Sequence, residues 1–164
     1  MAAEEQPLIK ERLRSAFQKK AAPLLEPDEE VVLAVPNLTL PAWIYLLTIS
    51  IVGALFILPY AIQKASLAVV TQRNVYVFKT NWLGTAKRVL LKAPLGSVEA
   101  SFGGSAFPGR FLTIGEHKVW LAFAGSIHRR AQVMAQAASS GPAVLPAEVA
   151  AAGGAAAAEE ASAE

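Results

Sequence analysis

Residues 66–78 read SLAVVTQRNVYVF. Two runs rich in β-branched and aromatic side chains, SLAVVT and NVYVF, are separated by only Gln72 and Arg73. That spacing is the signature of a β-hairpin. Downstream, KRVLL, SVEASF, RFLTI and KVWLAF continue the pattern, divided by NWLGTA, KAPLG, GGSAFPG and GEH. Glycine, proline and asparagine punctuate these dividers as turns do, so the stretch predicts a meander of about six strands. Gly125 and Ser126 then open a helix over 126–138, with Ser126 as N-cap. Ile127, Ala131, Met134 and Ala138 recur on one face of it.

Upstream of the hairpin the pattern is different. Residues 31–63 carry no charged side chain, and within them lies PAWIYLLTISIVGALFILPYAIQ, residues 41–63. About 20 apolar residues suffice to cross a bilayer as a helix. Trp43, Tyr45 and Tyr60 lie near the two ends, where an interfacial aromatic belt would sit. The expectation is one transmembrane helix over 41–63. A re-entrant hairpin about Gly53 and a buried helix in a soluble oligomer are the alternatives.

Before that segment, residues 7–20 have the period of an amphipathic helix. Ile9, Leu13, Ala16 and Phe17 lie on one face, and Lys10, Arg12, Arg14, Lys19 and Lys20 cover much of the rest. Such a helix either packs on its own domain or lies in the lipid interface. Glu4, Glu5 and Glu11 occupy the place of a basic signal region, so the N-terminus does not read as a secretory signal. PLLEPDEE, at 23–30, is an acidic connector, and Val31–Val35 reads as a short strand ending at Pro36. The division expected is therefore a helix and connector over 1–30, an apolar membrane unit over 31–63, a β domain over 64–140, and a tail over 141–164. The tail is Ala-, Gly- and Glu-rich, with too few large apolar residues for a core, and is expected to be disordered.

LAVVTQRNVYVF at 67–78, followed by NWLG at 81–84, resembles the bacterial pleckstrin-homology-like domains of small actinobacterial membrane proteins. In those domains a T-D-R-R-like turn joins the strands of the first hairpin. Thr71 and Arg73 match that turn, while Gln72 and Asn74 depart from it. LEPDEEVVLAVP at 25–36 is similar to the segment such proteins place before their membrane region. The resemblance implies a mainly β fold with flanking helices: a split barrel with a C-terminal capping helix beside a membrane segment. It implies no catalytic activity. If residues 30–35 form the first barrel strand, the chain must return to the side it left, and the apolar segment is no simple span.

Charge is unevenly distributed. The net formal charge is only +2, yet residues 64–140 hold ten basic side chains against Glu99 and Glu116. The tail holds acidic side chains and no basic ones. Cysteine is absent, which excludes disulfides and thiolate chemistry. His117, in the turn GEHK, and His128, in the last helix, have no HxxxH or carboxylate partner in sequence. No metal, cofactor or catalytic site is expected from this pattern.

The cations remain as the functional signal. Arg129 and Arg130 occupy the first turn of the last helix, where the helix dipole disfavours positive charge. A face turned toward anionic headgroups accounts for them. Arg73, Lys87, Arg88, Arg129 and Arg130 are the candidate lipid- or partner-binding residues. The function expected is a non-catalytic, membrane-anchored binding or scaffolding module with its β domain in the cytoplasm. Its candidate partners are membrane lipids, anionic ones above all, a protein, or a second copy of the chain. The alternative is a nucleic-acid binder using the same cationic domain. No RNP-like, helix-turn-helix or KH pattern supports that alternative, so no nucleic acid is expected. The uncharged run makes the first prediction. High-salt and alkaline extraction should leave the full-length chain in the membrane pellet, and release into the supernatant would show the run to be buried in protein.

Overall fold

A computed structural model describes residues 10–37, 65–81, 83–105, 109–122 and 124–145. Helix α1, Glu11–Ala21, leads through a short 3-10 turn, Ala22–Leu24, to strand β1, Leu33–Asn37. After the apolar segment come β2, Ser66–Val70, and β3, Asn74–Thr80. Then follow β4, Ala86–Pro94, β5, Ala100–Gly104, β6, Arg110–Ile114, and β7, His117–Trp120. Helix α2, Gly125–Ser140, closes the chain, with a final 3-10 turn at Pro142–Val144. The strands form two antiparallel sheets, ordered β1-β2-β3-β4 and β5-β6-β7. A mainly β fold with a C-terminal helix is therefore what these residues build, and the strands from Ser66 to Trp120 follow the expected meander.

The hairpin strands look continuously apolar because both faces of their sheet are covered. Ala68, Val70, Val75 and Val77 face one core together with Leu112, Ile114, Val119 and Met134. Leu67, Val69, Tyr76 and Phe78 alternate with them and face a second core with Ala21, Val31 and Ala34. The first core is closed by the three-stranded sheet and α2. The second is closed by α1, whose Phe17 packs on it. Of the two readings of the N-terminal helix, its packed face is the one in view, although Leu13 stays 41% exposed. Each fully buried Phe, Leu or Met side chain contributes roughly 2 kcal/mol.

A buried carboxylate pins the acidic connector to the hairpin turn. Glu29 is only 6% exposed. Its Oε1 accepts hydrogen bonds from the Thr71 hydroxyl at 3.0 Å and Asn74 Nδ2 at 2.6 Å. Its Oε2 accepts from the Tyr76 hydroxyl at 2.5 Å. Thr71 Oγ1 in turn accepts the Asn74 backbone N–H at 3.0 Å, tightening the turn. The departure at Asn74 from the T-D-R-R pattern is thus occupied by a ligand of Glu29. Burial, reinforced by the hydrogen bond to Glu29, pushes the Tyr76 phenol well above its usual pKa. On the same connector, Gln18 accepts the Val31 N–H and donates to the Glu29 carbonyl, which holds α1 in place.

β1 changes the expected domain boundaries. It pairs with β2 along its whole length, Leu33 with Val70 and Asn37 with Ser66. Residues 33–37 therefore belong to the sheet and not to a membrane unit beginning at residue 31, and the strand runs through Pro36 to Asn37. The expected span over 41–63, with Trp43, Tyr45 and Tyr60, lies outside the described residues, as do the tail beyond 145 and the start of the N-terminal helix. Its flanks do not. A single crossing would leave its two ends on opposite faces of a core about 30 Å thick. Paired strands hold Asn37 and Ser66 side by side, about 5 Å apart. The chain thus leaves the sheet at Asn37 and rejoins it at Ser66, next to where it left. Among the described residues, no helix is long and apolar enough to cross a membrane.

The buried hub makes the second prediction. Glu29→Ala strands three buried donors and should cost about 3 kcal/mol in chemical denaturation. Tyr76→Phe should cost about 1 kcal/mol. Because the folded phenol has the raised pKa, its contribution is complete below the unfolded value of about 10 and is lost as pH rises beyond it. Stability should fall above about pH 10, with a shallower slope in Tyr76→Phe.

Candidate functional site

The end of the four-stranded sheet from which the apolar segment departs is also where cations gather. Ser66, one root of the segment, sits opposite Lys79, and Lys79 sits opposite Arg88. Thr80 donates its N–H to the Ala65 carbonyl at 3.0 Å, so the β3–β4 turn lies at this root end. That turn begins β4, placing exposed Lys87 beside Arg88. Gly84 of the turn, at φ +79°, leaves room for Lys20, whose Nζ would stand 3.1 Å from a Cβ there. Leu83 at the tip is 57% exposed.

The three-stranded sheet contributes to the same end. Trp120, last in β7, donates its backbone N–H to Asn37 Oδ1 at 2.8 Å. Arg110 opens β6 beside the β7 terminus, its carbonyl accepting the Leu121 N–H. The Arg110 guanidinium lies 5.8 Å from the Phe102 ring centroid. Lys20, Lys79, Lys87, Arg88 and Arg110 thus share the root end, and no described carboxylate accompanies them.

Carboxylates collect at the far end. Glu29 holds the Thr71–Asn74 turn there. Glu30 binds Gln72 through its N–H, and Glu26 pairs with Lys92. The β4–β5 turn joins this end through the Leu95 N–H to the Arg73 carbonyl, and carries Glu99. Glu99 in turn accepts the Gly115 N–H with its carbonyl, which brings Glu116 alongside. Glu11 and Glu30 both lie against Arg14. Strand register has separated the charges along the domain: paired cations among acids at one end, cations without acids at the other.

The expected site residues divide accordingly. Lys87 and Arg88 are exposed at the root end. Arg73 is exposed but sits at the far end, in the hairpin turn. Arg129 is exposed near the start of α2. Arg130 is not a surface residue at all, being 5% exposed. Its Nη1 donates to the Ala34 carbonyl at 3.1 Å and its Nε to the Ser126 carbonyl at 3.3 Å. Burial lowers its pKa from the usual arginine value. Arg130 therefore satisfies the outer edge of β1 from the helix that covers it, an edge that would otherwise present bare carbonyls. Its spacing carried the signal: it lies three residues after Ile127 and four before Met134, inside the apolar face of α2.

No family model, curated protein or solved structure matches this chain. The site stands on its own geometry. Among the described residues, no group of three or more His, Asp or Glu is placed to hold a metal. His128 rests against the Phe102 ring, 6.3 Å between centroids, and His117 pairs with Ile114 at the start of β7.

The two neighbouring arginines make the third prediction. Arg130→Ala removes charge-assisted hydrogen bonds from a buried edge and should lower unfolding free energy by about 2 kcal/mol. Arg129→Ala should stay within about 0.5 kcal/mol of the parent. Thermal or chemical denaturation of the two variants separates the roles.

Proposed function

We propose that the chain is a non-catalytic, membrane-attached binding module of pleckstrin-homology-like architecture, held by its apolar segment and reading anionic lipid with its root end. One observation carries this reading: both roots of an uncharged apolar segment emerge side by side from the end of the domain that has cations and no described carboxylates. The likeness to pleckstrin-homology-like domains is supported by the four- and three-stranded sheets with a C-terminal helix across them.

The proposed attachment is re-entrant. Residues 38–63 enter the bilayer and return to the face they left, because their flanks are neighbours in one sheet. Half that length is roughly 20 Å of helix, short of the ~30 Å apolar core. The domain is then tethered at the surface at high effective concentration. Each cation near an anionic leaflet contributes about 1 kcal/mol, so Lys79, Lys87, Arg88 and Arg110 together suffice to orient it. The far end, with its acids, is repelled into solution. The leaflet in question is the cytoplasmic one, where anionic lipid gives the attraction.

Absence of cysteine supplies a clean test. Single variants Lys87→Cys and Arg73→Cys of the full chain are labelled with a fluorophore and reconstituted into vesicles carrying an acceptor on the headgroups. Energy transfer should be greater from position 87 than from position 73. The contrast should be larger with phosphatidylglycerol than with phosphatidylcholine, and should shrink as salt is raised. Equal transfer from the two positions in phosphatidylglycerol vesicles would reject the proposed orientation.

A further inference from the structure

The outward face of the three-stranded sheet carries a patch that neither core nor charge pairing explains. Residues directly opposite in antiparallel strands share a face. Gly103, Phe111 and Trp120 form one such row, and Ser101, Thr113 and Lys118 the next. The alternating residues, Leu112 and Val119, point into the core. Phe111 and Trp120 are consequently left half-buried on the outside. Their rings meet edge to face, 5.4 Å between centroids at 71°. Lys118 Nζ stands 3.9 Å from the Phe111 ring centroid and 4.6 Å from that of Trp120. Gly103 lies beneath the Phe111 ring, where a Cβ would be in ordinary contact at 3.5 Å.

Position gives the patch its meaning. The Trp120 backbone is hydrogen-bonded to the Asn37 side chain, and the apolar segment begins at the next residue, 38. The patch therefore abuts the place where the chain enters the bilayer in the reading above, on which this inference rests. Aromatic rings beside a long-stemmed cation are the side chains that suit the headgroup layer, where an apolar body and a charged tip are both satisfied. Among the described residues no carboxylate lies on this face, since Glu116 is in the turn at the opposite end of β6 and β7. We propose that Phe111, Trp120 and Lys118 form a second, shallow contact with the lipid headgroup layer. The domain then leans on its three-stranded sheet and does not stand upright on its cationic end. The contact restricts rotation about the tether, which charge at the root end alone leaves free.

The test uses the full chain in vesicles of phosphatidylcholine and phosphatidylglycerol. Trp43→Phe with Trp82→Phe leaves Trp120 as the only tryptophan; Trp82→Phe with Trp120→Phe leaves Trp43. Lipids brominated just below the headgroup should quench most of the Trp120 emission, and lipids brominated near the bilayer centre should quench it little. Lys118→Glu should weaken that quenching and leave the quenching of Trp43 unchanged. If bromolipids quench Trp43 and not Trp120, the tether stands and the leaning face is wrong. If they quench neither, both the membrane reading and this inference fall. If Trp120 ignores bromolipid but is quenched by added single-stranded DNA, the aromatic face is a base-stacking platform, and the lipid contact is overturned.

Discussion

Five residues ahead of the apolar segment hydrogen-bond, in register, to five residues behind it. That pairing of β1 with β2 governs the remainder of the molecule. It makes residues 33–37 the first strand of the domain, although a long hydrophobic stretch separates them in sequence from their partners. It gives the hairpin strands a covered edge. It also sets the direction of the charge separation, because Lys79 and Arg88 at the root end are placed by counting outward from Ser66.

Glu29 is the other constraint on that pairing. A carboxylate amid three donors is costly to expose and costly to leave half-satisfied. It therefore locks the connector against the turn only when β1 lies in register with β2. Thr71, Asn74 and Tyr76 come from one hairpin and serve one oxygen pair. The acidic connector and the hairpin turn, distant in sequence, are one structural unit. Arg130 does the corresponding work on the opposite edge of β1, donating to the Ala34 carbonyl.

Much of this fold was legible from residues 66–138. The runs around Val69 and Val77 announced strands, and the recurrence of Ile127, Ala131 and Met134 announced α2. Local pattern was enough there because each element advertises its period. Glu29 was not legible, because within PLLEPDEE it looks like one more solvated acid, and its burial depends on partners more than forty residues away. Arg130 was misread as a lipid contact from its charge, although its spacing placed it on the apolar face. Trp120 shows what strand parity alone decides: it shares a face with Lys118, two residues before it, and Val119 takes the inside place. Of the candidate site, the cationic excess was visible in composition, whereas its division between two ends needed the register.

The order of synthesis acquires a consequence from the same strand pairing. A ribosome delivers Leu33–Asn37 well before Ser66–Val70, and the stretch made between them is mostly hydrophobic. Until the later strand emerges, the earlier one has an open edge and nothing to satisfy it. Loop closure across so long an insertion is slow relative to the formation of local hairpins. Local closure therefore favours the β2–β3 hairpin as the first unit and the template onto which β1 zips last. Folding of this chain therefore runs against the order of its synthesis: the first strand made is the last one seated.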